Sequence, residues 1–243
     1  MRDAVAIVPA GGTGVRMARR RPKQYLTLGG APILVHTLRA LARSREIAGL
    51  VVAVPADRIE VTRRLLGRFG VPRILGVVAG GAERQESVWR GLQALPGHAR
   101  WVLVHDAVRP FITAGLIGRV LKAARHHGAA TCGLPIRETV KRVNGSAVEL
   151  TVNRAGLWLT QTPQAFRRDL LWEAHEKARR DNWTGTDDAM LVEALGARVA
   201  MVPGLPQNLK ITTPEDLKTA SLWLRHPSAG GGGRGPLRGS RRS

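Results

Sequence analysis

Short apolar runs that alternate with segments of helical periodicity constrain this chain most, because such alternation is the pattern of a parallel sheet covered by helices. Residues 5–9, 50–54, 74–78, 101–105 and 129–134 read as buried strands. Between them Leu34, Leu38 and Leu41 recur at helical spacing, as do Val88, Leu92 and Leu95, and then Ile117, Val120, Leu121 and Ala124. Each stripe is expected to face the sheet. From Pro135 the texture changes. Residues 137–143, then Asn144-Gly145, then 148–152 read as a β-hairpin around a type I′ turn, with at most one face buried. This arm, over residues 136–153, either projects as a dimer contact or packs on its own domain, and the pattern leaves both open.

After Phe166 a helical pattern resumes with Leu170, Leu171 and Ala174, and again after Thr186, read as an N-cap with Asp187 and Asp188 in its first turn. A strand over residues 199–202 follows. Thr213-Pro214-Glu215-Asp216 is a capping-box pattern with proline at the first helical position, which gives Asp216 a structural role and opens a last helix to Arg225. Residues 226–243 are Pro, Ser, Gly and Arg with little apolar surface, and read as a disordered basic tail after a single domain over residues 1–225.

Charge narrows the function classes. With 38 Lys+Arg against 18 Asp+Glu, the net charge is +20, which favours polyanionic ligands. Nucleic acid is not the reading: there are only 1 Tyr and 3 Phe, the basic residues are scattered, and no binding-module signature occurs. The single cysteine, Cys132, excludes an internal disulfide, lies in an apolar run and reads as a buried strand residue rather than a nucleophile. No apolar stretch approaches the roughly 20 residues needed to cross a bilayer, and the N-terminus lacks a signal h-region, so a cytoplasmic protein is expected.

Pro9-Ala10-Gly11-Gly12-Thr13-Gly14-Val15-Arg16-Met17 follows the first strand and leads to Pro22-Lys23-Gln24-Tyr25. Glycines there let backbone amides approach a phosphate. The loop is not Gly-x-x-x-x-Gly-Lys-Ser/Thr, and Met17 stands where Gly-x-Gly-x-x-Gly needs its third glycine. Amides followed by the cations Arg16 and Lys23 suit a polyphosphate that gains charge during reaction, as in nucleotidyl transfer. Asp106, at the carboxyl end of a strand, stands where open α/β sheets bind ligands. His105 beside it reads as a hydrogen-bonded strand-end residue rather than a catalytic base.

These residues resemble the 2-C-methyl-D-erythritol 4-phosphate cytidylyltransferase family over roughly residues 4–225. Besides the loop, the resemblance rests on Gly80-Gly81-Ala82-Glu83-Arg84-Gln85-Glu86-Ser87-Val88, Val102-Leu103-Val104-His105-Asp106-Ala107-Val108-Arg109-Pro110, and Thr139 with Lys141-Arg142. It extends to Asn153-Arg154 with Gly156-Leu157-Trp158, Thr162-Pro163-Gln164 with Phe166, and Asn208-Leu209-Lys210-Ile211-Thr212. It implies an α/β, Rossmann-like, mostly parallel sheet of the nucleotide-diphospho-sugar transferase type with a projecting arm. It also implies transfer of CMP from CTP to methylerythritol phosphate with Mg²⁺ present.

Carried onto this chain, Arg16 and Lys23 become transition-state cations, and Arg154 and Lys210 position the acceptor phosphate with Arg109, Thr139 and Thr162. Pro9, Ala10, Gly11, Gly12 and Gly14 hold the nucleotide; Gly81, Ala82 and Ser87 read the base; Asp106 and Ala107 contact substrate, with Asp106 also the metal ligand. The resemblance further implies a homodimer in which Thr139 and Arg154 act across the interface.

The chain departs from the family pattern at Gly11, usually alanine, at Ala82, often an acid, and at Asn153, commonly an acid. A ribitol 5-phosphate cytidylyltransferase would carry most of the same motifs, and a non-catalytic polyanion-binding protein is the reading of another class.

Overall fold

In the computed structural model, residues 3–12 and 22–225 are described. β1 (Ala4–Pro9) sits near the middle of a seven-stranded sheet, flanked by β4 (Ile47–Val54) and β6 (Trp101–Val104), both parallel to it. Its side chains alternate between two apolar layers: Ala4, Ala6 and Val8 on one, Val5 and Ile7 on the other. A strand covered on both faces must be apolar throughout, which is why it reads as a continuous run.

Two small strands, β2 (Thr27–Leu28) and β3 (Ala31–Pro32), precede α1 (Ile33–Ala42). After β4 come α2 (Ile59–Arg68) and β5 (Ile74–Ala79), then α3 (Arg84–Gln93) leads into β6. α4 (Ala114–His127) runs to β7 (Ala129–Pro135), and β8 (Val140–Asn144) and β9 (Ala147–Val152) form a separate hairpin. The chain closes with β10 (Trp158–Arg167), α5 (Arg168–Arg180), α6 (Asp188–Glu193), β11 (Val199–Pro203) and α7 (Pro214–Arg225).

The strand order is β11-β7-β10-β6-β1-β4-β5, with β10 alone antiparallel to its neighbours β6 and β7. The three helical stripes face the sheet as expected. Leu34, Leu38 and Leu41 pack on one face with Ile117, Val120, Leu121 and Ala124, while Val88, Leu92 and Leu95 pack on the other. Cys132 is buried in β7, its thiol donating to the Pro163 carbonyl at 3.4 Å and pushed up to about 12 by burial, so it is no nucleophile.

The structure corrects several expectations. β10 did not read as a strand, because it is half polar and carries Pro163, which lacks a ladder donor. Its pairing with β7 is interrupted between Gln161 and Ala165, and the proline lies in that gap. The hairpin turn is Gly145-Ser146, with Asn144 paired to Ala147, and Gly145 takes φ +59° at the first central position. That is a type II′ arrangement in place of the expected type I′. The N-cap of α6 is Asp187, not Thr186: its carboxylate accepts from the Met190 amide at 2.9 Å. α2 was not anticipated, its apolar face being short, with only Thr62 and Leu66 buried.

The arm buries neither face fully: Val143, Val148 and Leu150 are exposed, so it projects rather than packing on its own sheet. The last helix starts as read, with the Asp216 amide donating to Thr213 Oγ1 and Asp216 Oδ2 accepting from the Thr212 and Thr213 amides. The tail lies outside the described residues.

Candidate active site

After β5 the chain returns across the sheet to β6 on the other side of β1, so the strand order reverses beside β1. A crevice at that switch point, at the carboxyl ends of the strands, follows from the topology. It is a cleft of about 380 Å³ floored by Pro9, Ala10, Gly11 and Gly12 and walled by Gly81, Ala82, Arg84, Ser87, Asp106, Ala107, Lys23 and Lys210. Residues that lie about 200 positions apart in the chain are thereby assembled around one cavity.

The glycine loop is held from two sides. The Ala10 amide donates to the Ala53 carbonyl at 2.7 Å, and buried Gln24 donates through Nε2 to the Ala10 carbonyl at 2.6 Å. Gln24 therefore ties the turn carrying Lys23 to the loop, although it was not singled out from sequence. A Cβ on Gly11 would meet nothing nearer than Ser87 Oγ at 3.5 Å, so the alanine usual at that position fits and glycine there is not sterically required.

On the opposite wall, Ser87 Oγ accepts from the Gly81 amide and donates to the Glu83 carbonyl, both at 3.1 Å. Glu86 accepts from the Ala82 amide at 3.1 Å and pairs with Arg90. These bonds shape the turn entering α3, and a Cβ on Gly81 would collide with the Glu86 side chain, 2.1 Å away. Glycine at 81 thus lets the Glu86 side chain lie close against the turn, and a larger residue would make that side chain shift.

Asp106 is the electrostatic centre. Its Oδ2 lies 3.0 Å from Lys210 Nζ and 3.2 Å from Arg109 Nε, and its Oδ1 lies 3.5 Å from Arg84 Nε. Burial alone would raise its pKa, but Lys210, Arg84 and Arg109 outweigh it and hold the carboxyl well below the usual range. Three cations on one anion leave the cleft positively biased, as a polyphosphate site requires. Arg109 donates through Nη1 to the Asn208 carbonyl at 2.8 Å, and Asn208 donates to the Thr162 carbonyl at 2.7 Å. Thr162 Oγ1 accepts from the Asp106 amide at 3.0 Å, so Arg109 and Thr162, both expected to contact substrate, are buried behind the cleft and support the site without lining it.

His105 is fully buried, with Nε2 against the Arg109 carbonyl and Nδ1 against Thr162 Oγ1. Burial pushes it down to about 4, which keeps it neutral at pH 7, in line with a structural role.

Two further expected residues are not brought to the cleft within one chain. Thr139 and Arg154 lie exposed at the root of the arm, where Arg154 donates to the Arg137 carbonyl. Gly14 and Arg16 lie outside the described residues. Four residues that sequence reasoning missed belong to the site's framework: Gln24, Arg84, Asn208 and Asp188. Arg84 and Asn208 sit inside motifs already singled out, but Asp188 read only as a first-turn acid. Among the described residues no group of three His, Cys, Asp or Glu side chains forms a metal cage, and no helix is long and apolar enough to cross a membrane.

The family model described as 2-C-methyl-D-erythritol 4-phosphate cytidylyltransferase (IspD) matches residues 4–226. The chain is similar to the enzyme of that name from Geobacter metallireducens, 46% identical over 224 residues, covering 90% of this chain and 97% of the relative. Among solved structures it resembles 4-diphosphocytidyl-2C-methyl-D-erythritol synthase from Anaerococcus prevotii, with a TM-score of 0.80, 32% identity and 92% and 96% of the two chains covered. The cytidylyltransferase from Thermus thermophilus aligns with a TM-score of 0.76 and 38% identity, covering 91% of this chain and 98% of that one.

Proposed function

Because the chain belongs to the 2-C-methyl-D-erythritol 4-phosphate cytidylyltransferase family, we propose that its cleft transfers CMP from CTP to 2-C-methyl-D-erythritol 4-phosphate. A phosphate oxygen of the acceptor attacks the α-phosphorus of CTP, the bond to the β-phosphate oxygen breaks, and pyrophosphate leaves. The products are 4-diphosphocytidyl-2-C-methyl-D-erythritol and pyrophosphate. The observation that carries this reading is the cation-ringed carboxylate of Asp106 facing a glycine-floored cleft at the sheet's switch point.

In this reading the amides of Gly11 and Gly12 lie along the triphosphate, and Lys23 neutralises charge that builds on the α-phosphate, with Arg16 as its partner cation. Gly81, Ala82 and Ser87 face the cytosine. Lys210 holds the acceptor phosphate together with Arg154 acting across the dimer, with Arg109 supporting them from behind, and two cations on that phosphate offset its repulsion from the triphosphate. No general base is required, which agrees with a buried, neutral His105.

A magnesium ion fits Asp106. Its carboxylate lines the cleft, and magnesium is commonly bound through one or two carboxylates with substrate phosphates and water completing the shell. When bound, such an ion would supply charge neutralisation at the phosphates; Asp106 contributes the fixed anion that holds it.

We further assign the arm to a homodimer. Its exposed Val143, Val148 and Leu150 support an apolar contact, and Thr139 and Arg154 lie at its root, away from their own cleft. The enzyme is assigned to the cytoplasm, in keeping with a single, buried cysteine and no internal disulfide.

The deciding experiment incubates purified protein with each of the four nucleoside triphosphates against methylerythritol phosphate and ribitol 5-phosphate while following pyrophosphate. Release with CTP and methylerythritol phosphate alone is expected. Release with ribitol 5-phosphate instead would reassign the acceptor, and silence with every pair would refute catalysis.

A further inference from the structure

Arg84 enters the cleft from the first turn of α3 and is held from behind. Its Nη1 donates to Asp188 Oδ2 at 2.7 Å, whereas its Nε stands 3.5 Å from Asp106 Oδ1, beyond the roughly 2.7–2.9 Å of a charge-assisted hydrogen bond. The other Asp106 oxygen takes both close cations, Arg109 and Lys210. Oδ1 is therefore the less engaged oxygen.

Asp188 is itself fixed. Its side chain is 1% exposed, His175 Nε2 lies 3.2 Å from its Oδ1, and its amide donates to Gln164 Oε1 at 3.1 Å. Arg84 Nη2 is buried without a hydrogen-bond partner. The guanidinium thus has donor capacity in reserve, and its two anionic neighbours compete for it. Once freed from Asp188, a planar guanidinium beside a carboxylate would close into a bidentate pair with Asp106. A divalent cation would then have to displace it.

We propose that Asp188 is a positioning residue for nucleotide transfer: by anchoring Arg84 it keeps the guanidinium from closing on Asp106 Oδ1 and leaves that oxygen to the divalent cation that accompanies CTP. The inference rests on Asp106 as the metal ligand and adds a residue from α6 that touches neither substrate nor metal. It also accounts for a buried charge in a segment that otherwise packs apolar side chains, Ala189, Leu191 and Val192.

The test measures, by titration calorimetry on the full chain, the gain in CTP affinity conferred by Mn²⁺ over CTP in chelator, with no acceptor present. In D188N that gain should fall about tenfold, a coupling within the range for contacting charged groups, while metal-free CTP binding changes little. In D188N/R84Q, with Lys210 and Arg109 still on Oδ2 but no guanidinium left to close on Oδ1, the gain should return. An unreduced gain in D188N, or a double variant as weak as D188N, would overturn the proposal, since a purely structural Asp188 predicts no rescue.

Should D188N not fold, D188N/R84K against D188N/R84Q makes the same comparison, with the lysine variant expected to show the smaller gain. D106N separates the two layers. A normal gain in D106N removes the metal ligand and this inference together, whereas a lost gain in D106N with an intact one in D188N removes this inference alone.

Discussion

Lys23 stands in the wall of the cleft on a short turn whose neighbour Gln24 bonds to the glycine loop, so the cation and the loop's amides form one rigid unit. A charge set in place before reaction stabilises the transition state without reorganising. Lys23→Ala should lower kcat by about 10²–10³ with a much smaller change in the KM for CTP, the size of one lost oxyanion-type contact. Steady-state kinetics with varied CTP check this, and near-normal turnover would remove Lys23 from the transition state.

The carboxyls of Asp106 and Asp188 are both held below their ordinary value. Burial opposes this, but is outweighed by Lys210, Arg84 and Arg109 at Asp106, and by Arg84 and His175 at Asp188. A depressed carboxyl contributes stability that is complete above the unfolded value of about 4 and is lost as the pH falls below it. Denaturant unfolding followed from pH 6 to pH 3 should therefore show a steeper acid loss in the wild type than in D188N/R84Q. Parallel curves would mean that the pair does not couple folding to protonation.

Helix starts carry information that side chains supply locally, and the last helix reads correctly from it, whereas the cap of α6 falls one residue past the expected Thr186. Thr213, Pro214 and Asp216 form their reciprocal cap as the residue order predicts. Replacing Asp216 by alanine strips the acceptor from two amides and should cost about 1 kcal/mol. Thermal unfolding measures that loss, and an unchanged midpoint would contradict the cap.

Elements defined by distant partners were less legible. β10 is polar over half its length and contains a proline, yet it becomes a central strand because it pairs antiparallel with both β6 and β7. Its Phe166, fully buried, was the one sign of that position. The hairpin was legible from its alternation, but the turn slid by one residue. A bulge between Arg142 and Val143 shifts the pairing so that Gly145 leads the turn, and no propensity of Asn144-Gly145 records that shift.

The whole molecule presents a cleft whose described walls come from β1, the β5–α3 turn, the β6 end and the segment before α7, while two expected residues remain on the arm. An arm that completes a neighbour's cleft predicts complementation. Lys23→Ala and Arg154→Ala proteins, each nearly inactive, should regain about a quarter of wild-type activity when unfolded together and refolded as an equal mixture. Half the dimers would then be mixed, each with one intact site. No recovery, with gel filtration showing that the subunits exchange, would place Arg154 in its own subunit's cleft or outside catalysis.

The amino-acid order alone carried the apolar strands, the helical stripes that cover them, the cap at Asp216 and the residue types of the phosphate loop. Each depends on neighbours within a few positions, where periodicity and local hydrogen bonding leave their mark. Tertiary structure decided what those pieces surround. The insertion of β10, the exposure of the arm on both faces, and the sharing of Arg84 between Asp106 and Asp188 depend on groups up to about a hundred residues apart. Contacts of that span arise only when the sheet closes, because nothing local in the sequence distinguishes an aspartate that caps a turn from one that anchors an arginine.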